Sequence, residues 1–241
     1  MNFPKNIFQT WKNKNVPEKW KLAQQSVIAK NQNWKYVFLT DDDNDTIVKT
    51  YFPDFYQTFI NYKYPIQRAD AIRYCVLYLY GGIYLDLDYM CNKSFDDITL
   101  NREIGLTLSG NTKNIFTNSV LISQKGSQFW LLVLQEMQKS IPKYKKISKH
   151  LEIMNTTGPL MLNRVAHKHI TYIETFTNLQ VPCNSCVKIC DVDNNYYLTP
   201  IEGKSWNSWD SNLLNFIMCN KEIIILIIIL FITLFYKKKI K

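Results

Sequence analysis

Arg68 to Asp88 reads R-A-D-A-I-R-Y-C-V-L-Y-L-Y-G-G-I-Y-L-D-L-D, and this stretch decides the fold. An apolar helix opened by Pro65 carries Arg68, Asp70 and Arg73 and stops at Gly81-Gly82, where a glycine ends a helix without a Cβ penalty. A short strand, Ile83-Tyr84-Leu85, follows, and Asp86 and Asp88 stand at its end. Helix followed by buried strand is the unit of an α/β sheet, and such sheets bind ligands outside their strand ends. Two carboxylates placed there suit a hard divalent cation facing phosphate oxygens.

The flanking sequence repeats the alternation. Asn6 to Trp11 reads as a strand, Val16-Pro17-Glu18 opens a helix to about Lys30, and Trp34 to Leu39 is a second strand. Thr40 with Asp41 to Asp43 caps a helix over about Asn44 to Tyr51, and Pro53 restarts a short aromatic helix to Tyr62. Downstream, Glu103 to Leu108 and Asn118 to Ser123 read as strands, and Gln128 to Ser140 and Pro159 to Lys168 as helices. This order predicts one mainly parallel α/β domain over residues 1–210, irregular after Thr171, with a separate hydrophobic segment over 211–241.

Asp86 and Asp88 are two residues apart, a spacing that puts both side chains on one side of an extended strand. Paired carboxylates raise each other's pKa unless a cation lies between them, and Mn²⁺ or Mg²⁺ resolves that conflict. Asp70 and Arg73 share a helical face among Ile66, Ala69, Ile72 and Val76. Charges on so apolar a helix form either a buried pair or contacts to sugar hydroxyls and phosphate. Gly81-Gly82 serves either as a helix stop or as a point of close backbone approach to a ligand.

Of 29 basic residues only four are Arg, and four lysines fall in the last five positions. The charge of +9 is therefore a dispersed lysine surface, not the clustered footprint of a nucleic-acid binder. Cys183, Cys186 and Cys190 form C-x2-C-x3-C without a second pair, which favours free thiols or one local disulfide over a structural zinc. His150, His167 and His169 read as structural or surface residues. The N-terminus passes into its first strand with no signal-peptide pattern. Ile223 to Tyr236 is an apolar run spanning ~21 Å as a helix, short of the ~30 Å hydrocarbon core. With Lys237 to Lys241 behind it, it predicts membrane association, single-pass or interfacial, its cytosolic or lumenal side left open.

Four blocks together resemble glycosyltransferase family 32, the DxD-containing, Golgi mannosyltransferase-like enzymes, whose core is shared with large clostridial glucosylating toxins. They are I-F-Q-T-W at Ile7–Trp11, W-K-Y-V-F-L-T-D-D at Trp34–Asp42, the stretch Gln67–Asp88, and T-G-P at Thr157–Pro159 with a late S-W at Ser205-Trp206. The resemblance implies a GT-A fold, with a Rossmann-like mixed sheet flanked by helices, a nucleotide-sugar donor, Mn²⁺ dependence and retention of anomeric configuration. It implies Trp11 beside the nucleobase, Asp70 and Arg73 on donor sugar and diphosphate with Arg68 in support, and Asp86 and Asp88 at the metal. Gly81, Gly82 and Tyr84 join the donor-binding set, and Ser205 and Trp206 close over the diphosphate. A histidine that many relatives carry before Ser-Trp is missing, and Glu202, Asn207 and Asp210 are its candidate substitutes. The expected activity is hexose transfer to a glycan, lipid or protein acceptor. The alternative is a degenerate protein of the same fold that binds sugar nucleotide without turnover.

Overall fold

The computed structural model describes residues 3–110, 114–144, 148–183, 186, 190, 193–203, 205–226, 228–229 and 232. In chain order the elements are β1 (Asn6–Thr10), α1 (Glu18–Lys30), β2 (Lys35–Leu39), α2 (Asp41–Tyr51), α3 (Pro53–Ile60), α4 (Pro65–Tyr80), β3 (Gly82–Leu85) and β4 (Tyr89–Cys91). Then come β5 (Ile104–Leu108), β6 (Phe116–Ser123), α5 (Gln128–Tyr144), α6 (Lys149–Thr156), α7 (Pro159–Lys168), β7 (Ile173–Phe176), β8 (Leu198–Pro200) and α8 (Trp209–Cys219).

The main sheet has the order β2-β1-β3-β6-β5-β7, and β4 pairs with β8 in a small second sheet. β2, β1 and β3 are parallel, whereas β6 lies antiparallel to both β3 and β5. The sheet is thus mixed, as the family resemblance implies, whereas the strand–helix alternation alone suggests a mainly parallel one: β5 and β6 are joined without a crossover helix, and only a crossover makes consecutive strands parallel.

Alternation along the strands supplies two cores. Ile7, Ile83, Leu85 and Ile122 face one side with Val27 of α1, Trp34 and Phe95. Phe8, Tyr84 and Leu121 face the other, against Tyr74 and Leu77 of α4 and Trp130 and Val133 of α5. α4 lies at the centre of this second layer and is buried without a break from Asp70 to Leu77, so its charged residues sit in protein. It ends at Gly81 (φ 64°), and Gly82 (φ 112°) opens β3; both are left-handed values that glycine alone adopts freely. A Cβ on Gly82 would run into the Asn6 carbonyl and one on Gly81 into the Lys125 backbone, so both glycines serve the α4–β3 turn beside β1 rather than a ligand.

One feature departs from the sequence reading at the C-terminal end. The cysteines form two disulfides, Cys183–Cys190 and Cys186–Cys219, instead of one local bridge or free thiols; the second partner comes from α8, 33 residues away. Helical residues 221–226 follow α8, and among the described residues no helix is long and apolar enough to cross a membrane. The remainder of the apolar run and Lys237 to Lys241 lie outside the described residues.

Candidate active site

β1 and β3 end side by side, so Thr10-Trp11 and Asp86 leave the sheet at the same edge. β4 and β8 then return the segment after Pro200 alongside the carboxylates: Ile201 N donates to the Asp88 carbonyl at 2.8 Å. The cavity between them is lined by Trp11, Arg73, Tyr84, Asp86, Asp88 and the Ser205-Trp206 pair, with Thr10, Trp20 and Gly203.

Behind the cavity lies a buried ion network. Arg73 NH2 is 3.0 Å from Asp70 Oδ1 and 3.5 Å from Asp86 Oδ1. Its NH1 donates to the Asn118 carbonyl at 2.6 Å, and its guanidinium sits 4.8 Å over the Tyr84 ring. Asp70 is fixed from the far side, accepting from Asn118 Nδ2 at 2.9 Å on Oδ1 and from Thr157 Oγ1 at 2.7 Å on Oδ2. Burial disfavours the Arg73 charge, but Asp86, Tyr84 and Asp70 more than offset it and hold the guanidinium charged. Arg73 is thus a fixed cation with one edge on the cavity.

Asp86 lies just past β3 and Asp88 in the turn before β4, so a turn, not strand alternation, aims both at one cavity. Asp86 Oδ1 accepts from the Tyr84 hydroxyl at 2.9 Å besides its pairing with Arg73. Burial raises the Asp86 pKa against the pull of Arg73. Asp88 is pushed further, to about 7, by burial and then by the Asp86 charge. Its Oδ1 is buried without a hydrogen-bond partner among the described residues, and Oδ2 packs against Gly203 so closely that a Cβ there would overlap the carboxylate. A buried carboxylate oxygen without a donor, next to a second carboxylate, is a site a divalent cation fits. No third carboxylate, His or Cys completes a cluster among the described residues.

The structure sorts the sequence candidates. Trp11, Arg73, Tyr84, Asp86, Asp88, Ser205 and Trp206 line the cavity. Asp70 does not: it stands behind Arg73 with both oxygens engaged, and the buried-pair reading holds for it. Arg68 is not among the residues lining the cavity; its charge partly offsets the burial that raises the Asp41 pKa. Asp210 cannot replace the missing histidine, because it accepts from His150 N at 2.7 Å at the start of α6. His150 is structural: its ring stacks on Trp206 at 5.2 Å, and neighbouring Lys149 Nζ donates to the Trp206 carbonyl at 2.7 Å.

Three residues escaped the sequence reading. Trp20 packs edge-on against Trp11 at 5.0 Å and donates its indole N–H to the Glu202 carbonyl at 3.0 Å, tying α1 to the 201–206 segment. Asn118 and Thr157 hold Asp70; of these only Thr157 stood in a quoted block. The buried Trp11 indole N–H has no partner among the described residues, a donor facing a site that wants an acceptor.

Residues 17–104 match the family described as the glycosyltransferase sugar-binding region containing DXD motif. The chain is 34% identical over 218 residues to the mannosyl phosphorylinositol ceramide synthase CSH1 of Saccharomyces cerevisiae, covering 88% of this chain and 54% of the relative. It is 31% identical to the inositol phosphoceramide mannosyltransferase 3 of Schizosaccharomyces pombe, covering 89% and 59%. The chain therefore spans a little over half the length of these curated relatives. Among solved structures, the PaToxG glycosyltransferase shares the fold with a TM-score of 0.56 at 20% identity, covering 70% of each chain. Residues 17–104 are thus similar to the DXD-containing sugar-binding region of glycosyltransferases, and about nine-tenths of the chain is similar to part of these yeast mannosyltransferases.

Proposed function

We propose that this protein is a retaining hexosyltransferase that moves a sugar, mannose first among candidates, from a nucleotide-sugar to the headgroup of a phosphoinositol-containing sphingolipid. The donor half rests chiefly on one observation: Asp86, Asp88 and Arg73 converge on one cavity, Arg73 held by Asp70 and Asn118. The sugar and the lipid acceptor are supported by the similarity to the two yeast relatives, a mannosyl phosphorylinositol ceramide synthase and an inositol phosphoceramide mannosyltransferase.

A divalent cation, Mn²⁺ or Mg²⁺, held by Asp86 and Asp88 would neutralise the charge that develops on the departing diphosphate. Arg73 adds fixed positive charge on the same side, where it costs no reorganisation as the bond breaks. The Trp11 indole N–H is a donor for the nucleoside, and the Ser205-Trp206 segment, pinned through Trp20 and Lys149, shields the diphosphate from water. Two disulfides suit an oxidising compartment, so we place the catalytic region on the lumenal or external side, with the C-terminal apolar segment at the membrane.

Release of nucleoside diphosphate is the decisive assay, run over a panel of sugar nucleotides with Mn²⁺ or chelator and with phosphoinositol-ceramide vesicles, soluble glycans or no acceptor. Turnover with GDP-mannose and the lipid is expected, and an axial or equatorial anomer in the product NMR tests retention. Tight donor binding without release under every condition would instead make the chain a sugar-nucleotide-binding protein.

A further inference from the structure

A second and larger cavity, of about 860 Å³, lies between α6 and α8, within the ~300–1,000 Å³ range of ligand sites. Its apolar lining includes Leu151 and Met154 of α6, Leu160 at the start of α7, and Leu214 and Met218 of α8; His150 lines it too, and Asn220, Lys221 and Glu222 add a polar part. The Cys186–Cys219 disulfide fixes the far end of α8, and Asp210 and Ser211 fix its near end on His150, so α8 is anchored at both ends.

The groove adjoins the donor cavity. His150 lines the groove, Trp206 lines the donor cavity, and the two rings are stacked at 5.2 Å with an interplanar angle of 21°. A single layer of paired rings therefore separates an apolar trough from the site of the departing diphosphate. The outer surface of α8 continues the apolar character: Trp209 is 76% exposed and Phe216 61%, and exposed Ile225 and Leu226 follow. In sequence this stretch ends in Lys237 to Lys241 with four lysines, a charge complementary to anionic lipid headgroups. A soluble sugar acceptor gains nothing from such a trough, whereas a hydrocarbon chain does.

We propose that the groove between α6 and α8 receives a hydrocarbon chain of the lipid acceptor, directing the headgroup across the Trp206–His150 pair to the donor site. This deepens the acceptor reading above and rests on it for its biological meaning. Its test requires no turnover.

Binding of cis-parinaric acid, whose fluorescence rises in apolar surroundings, is titrated on the full chain without detergent. Saturable binding is expected. Met154→Trp, which fills the groove from α6, and Leu214→Trp, which fills it from α8, each weaken binding about tenfold or more. Phe216→Ser, on the outer face of α8, leaves it within about twofold. Far-UV circular dichroism and thermal unfolding identify a variant that fails to fold, and the facing-wall variant then carries the test. Absence of saturable binding overturns the proposal, as when the chain's own C-terminal residues or a second copy fill the groove. So does binding lost in Phe216→Ser but kept in both Trp variants, which puts the probe on the outer face. Failure of sugar transfer with probe binding as expected removes the acceptor reading and leaves the groove; transfer to lipid without probe binding removes the groove alone.

Discussion

Asp88→Asn separates the cost of the carboxylate pair from its use. In the folded chain Asp88 titrates at about 7 instead of 3.8, raised by burial and by Asp86. At about 1.4 kcal/mol per pH unit, that displacement amounts to roughly 4 kcal/mol, and partial solvent contact at the cavity mouth trims it to roughly 2–4 kcal/mol. The sign follows from proton uptake. Between 3.8 and about 7 the metal-free folded state holds a proton that the unfolded chain has released. The group thus contributes stability below 3.8 and loses it as pH rises through about 7. Asparagine keeps the shape and never ionises. In chelator, urea denaturation should show variant and wild type equally stable near pH 4, with the variant ahead by roughly 2–4 kcal/mol near pH 8. With Mn²⁺ the order should close or invert: wild type gains stability that increases with pH, and the variant gains little and loses transfer. A wild type as stable as Asp88→Asn near pH 8 in chelator would refute the strained-pair argument, and an active variant would refute the metal assignment.

Four further perturbations probe the surroundings. Arg73→Ala leaves Asp70 buried without its cation and should cost about 3–5 kcal/mol in urea denaturation, while Asp70→Leu with Arg73→Met recovers most of it. Gly203→Ala pushes into the Asp88 carboxylate and should abolish the Mn²⁺-dependent rise in Tm while the metal-free Tm holds; an unchanged Mn²⁺ response would place Asp88 elsewhere. Trp20→Phe deletes the indole bond to the Glu202 carbonyl, worth about 1 kcal/mol, and should raise the donor KM about fivefold with kcat less affected. Cys219→Ser opens a bridge spanning 33 residues and should lower stability by roughly 3–4 kcal/mol, measured against wild type without reductant.

Local signals carried the strands and helices well. Pro65 and Gly81 bracket α4 as read, and Pro159 to Lys168 is α7 without adjustment. The Thr40–Asp43 capping box starts α2 earlier than expected, because an acidic first turn is itself helical rather than a lead-in. What failed depends on distant partners. The direction of β6, the second disulfide and the short strands β4 and β8 are set by pairing across the sequence. α6 was missed because its helix is short, with a Ser148 cap and an Asp210 contact 60 residues away at its start.

Asp70 shows the same limit at the site itself. Its spacing to Arg73 was legible, and so was the choice between a buried pair and a ligand contact, but helical periodicity records only which residues share a face. Whether that face meets a cavity or a core is decided by Asn118 and Thr157, 48 and 87 residues further on. With those donors in place Asp70 is buried outside the cavity lining, beside the Arg73 that does line it. The guanidinium is held by the Asn118 carbonyl on Nη1 and the Ala69 carbonyl on Nε, with Nη2 between Asp70 and Asp86, and under the proposed function that fixed orientation would suit Arg73 to a departing diphosphate. The carboxylates of the constellation therefore divide by position, Asp70 pairing with Arg73 behind the cavity and Asp86 with Asp88 lining it, a division invisible to spacing because all three lie within one continuous stretch.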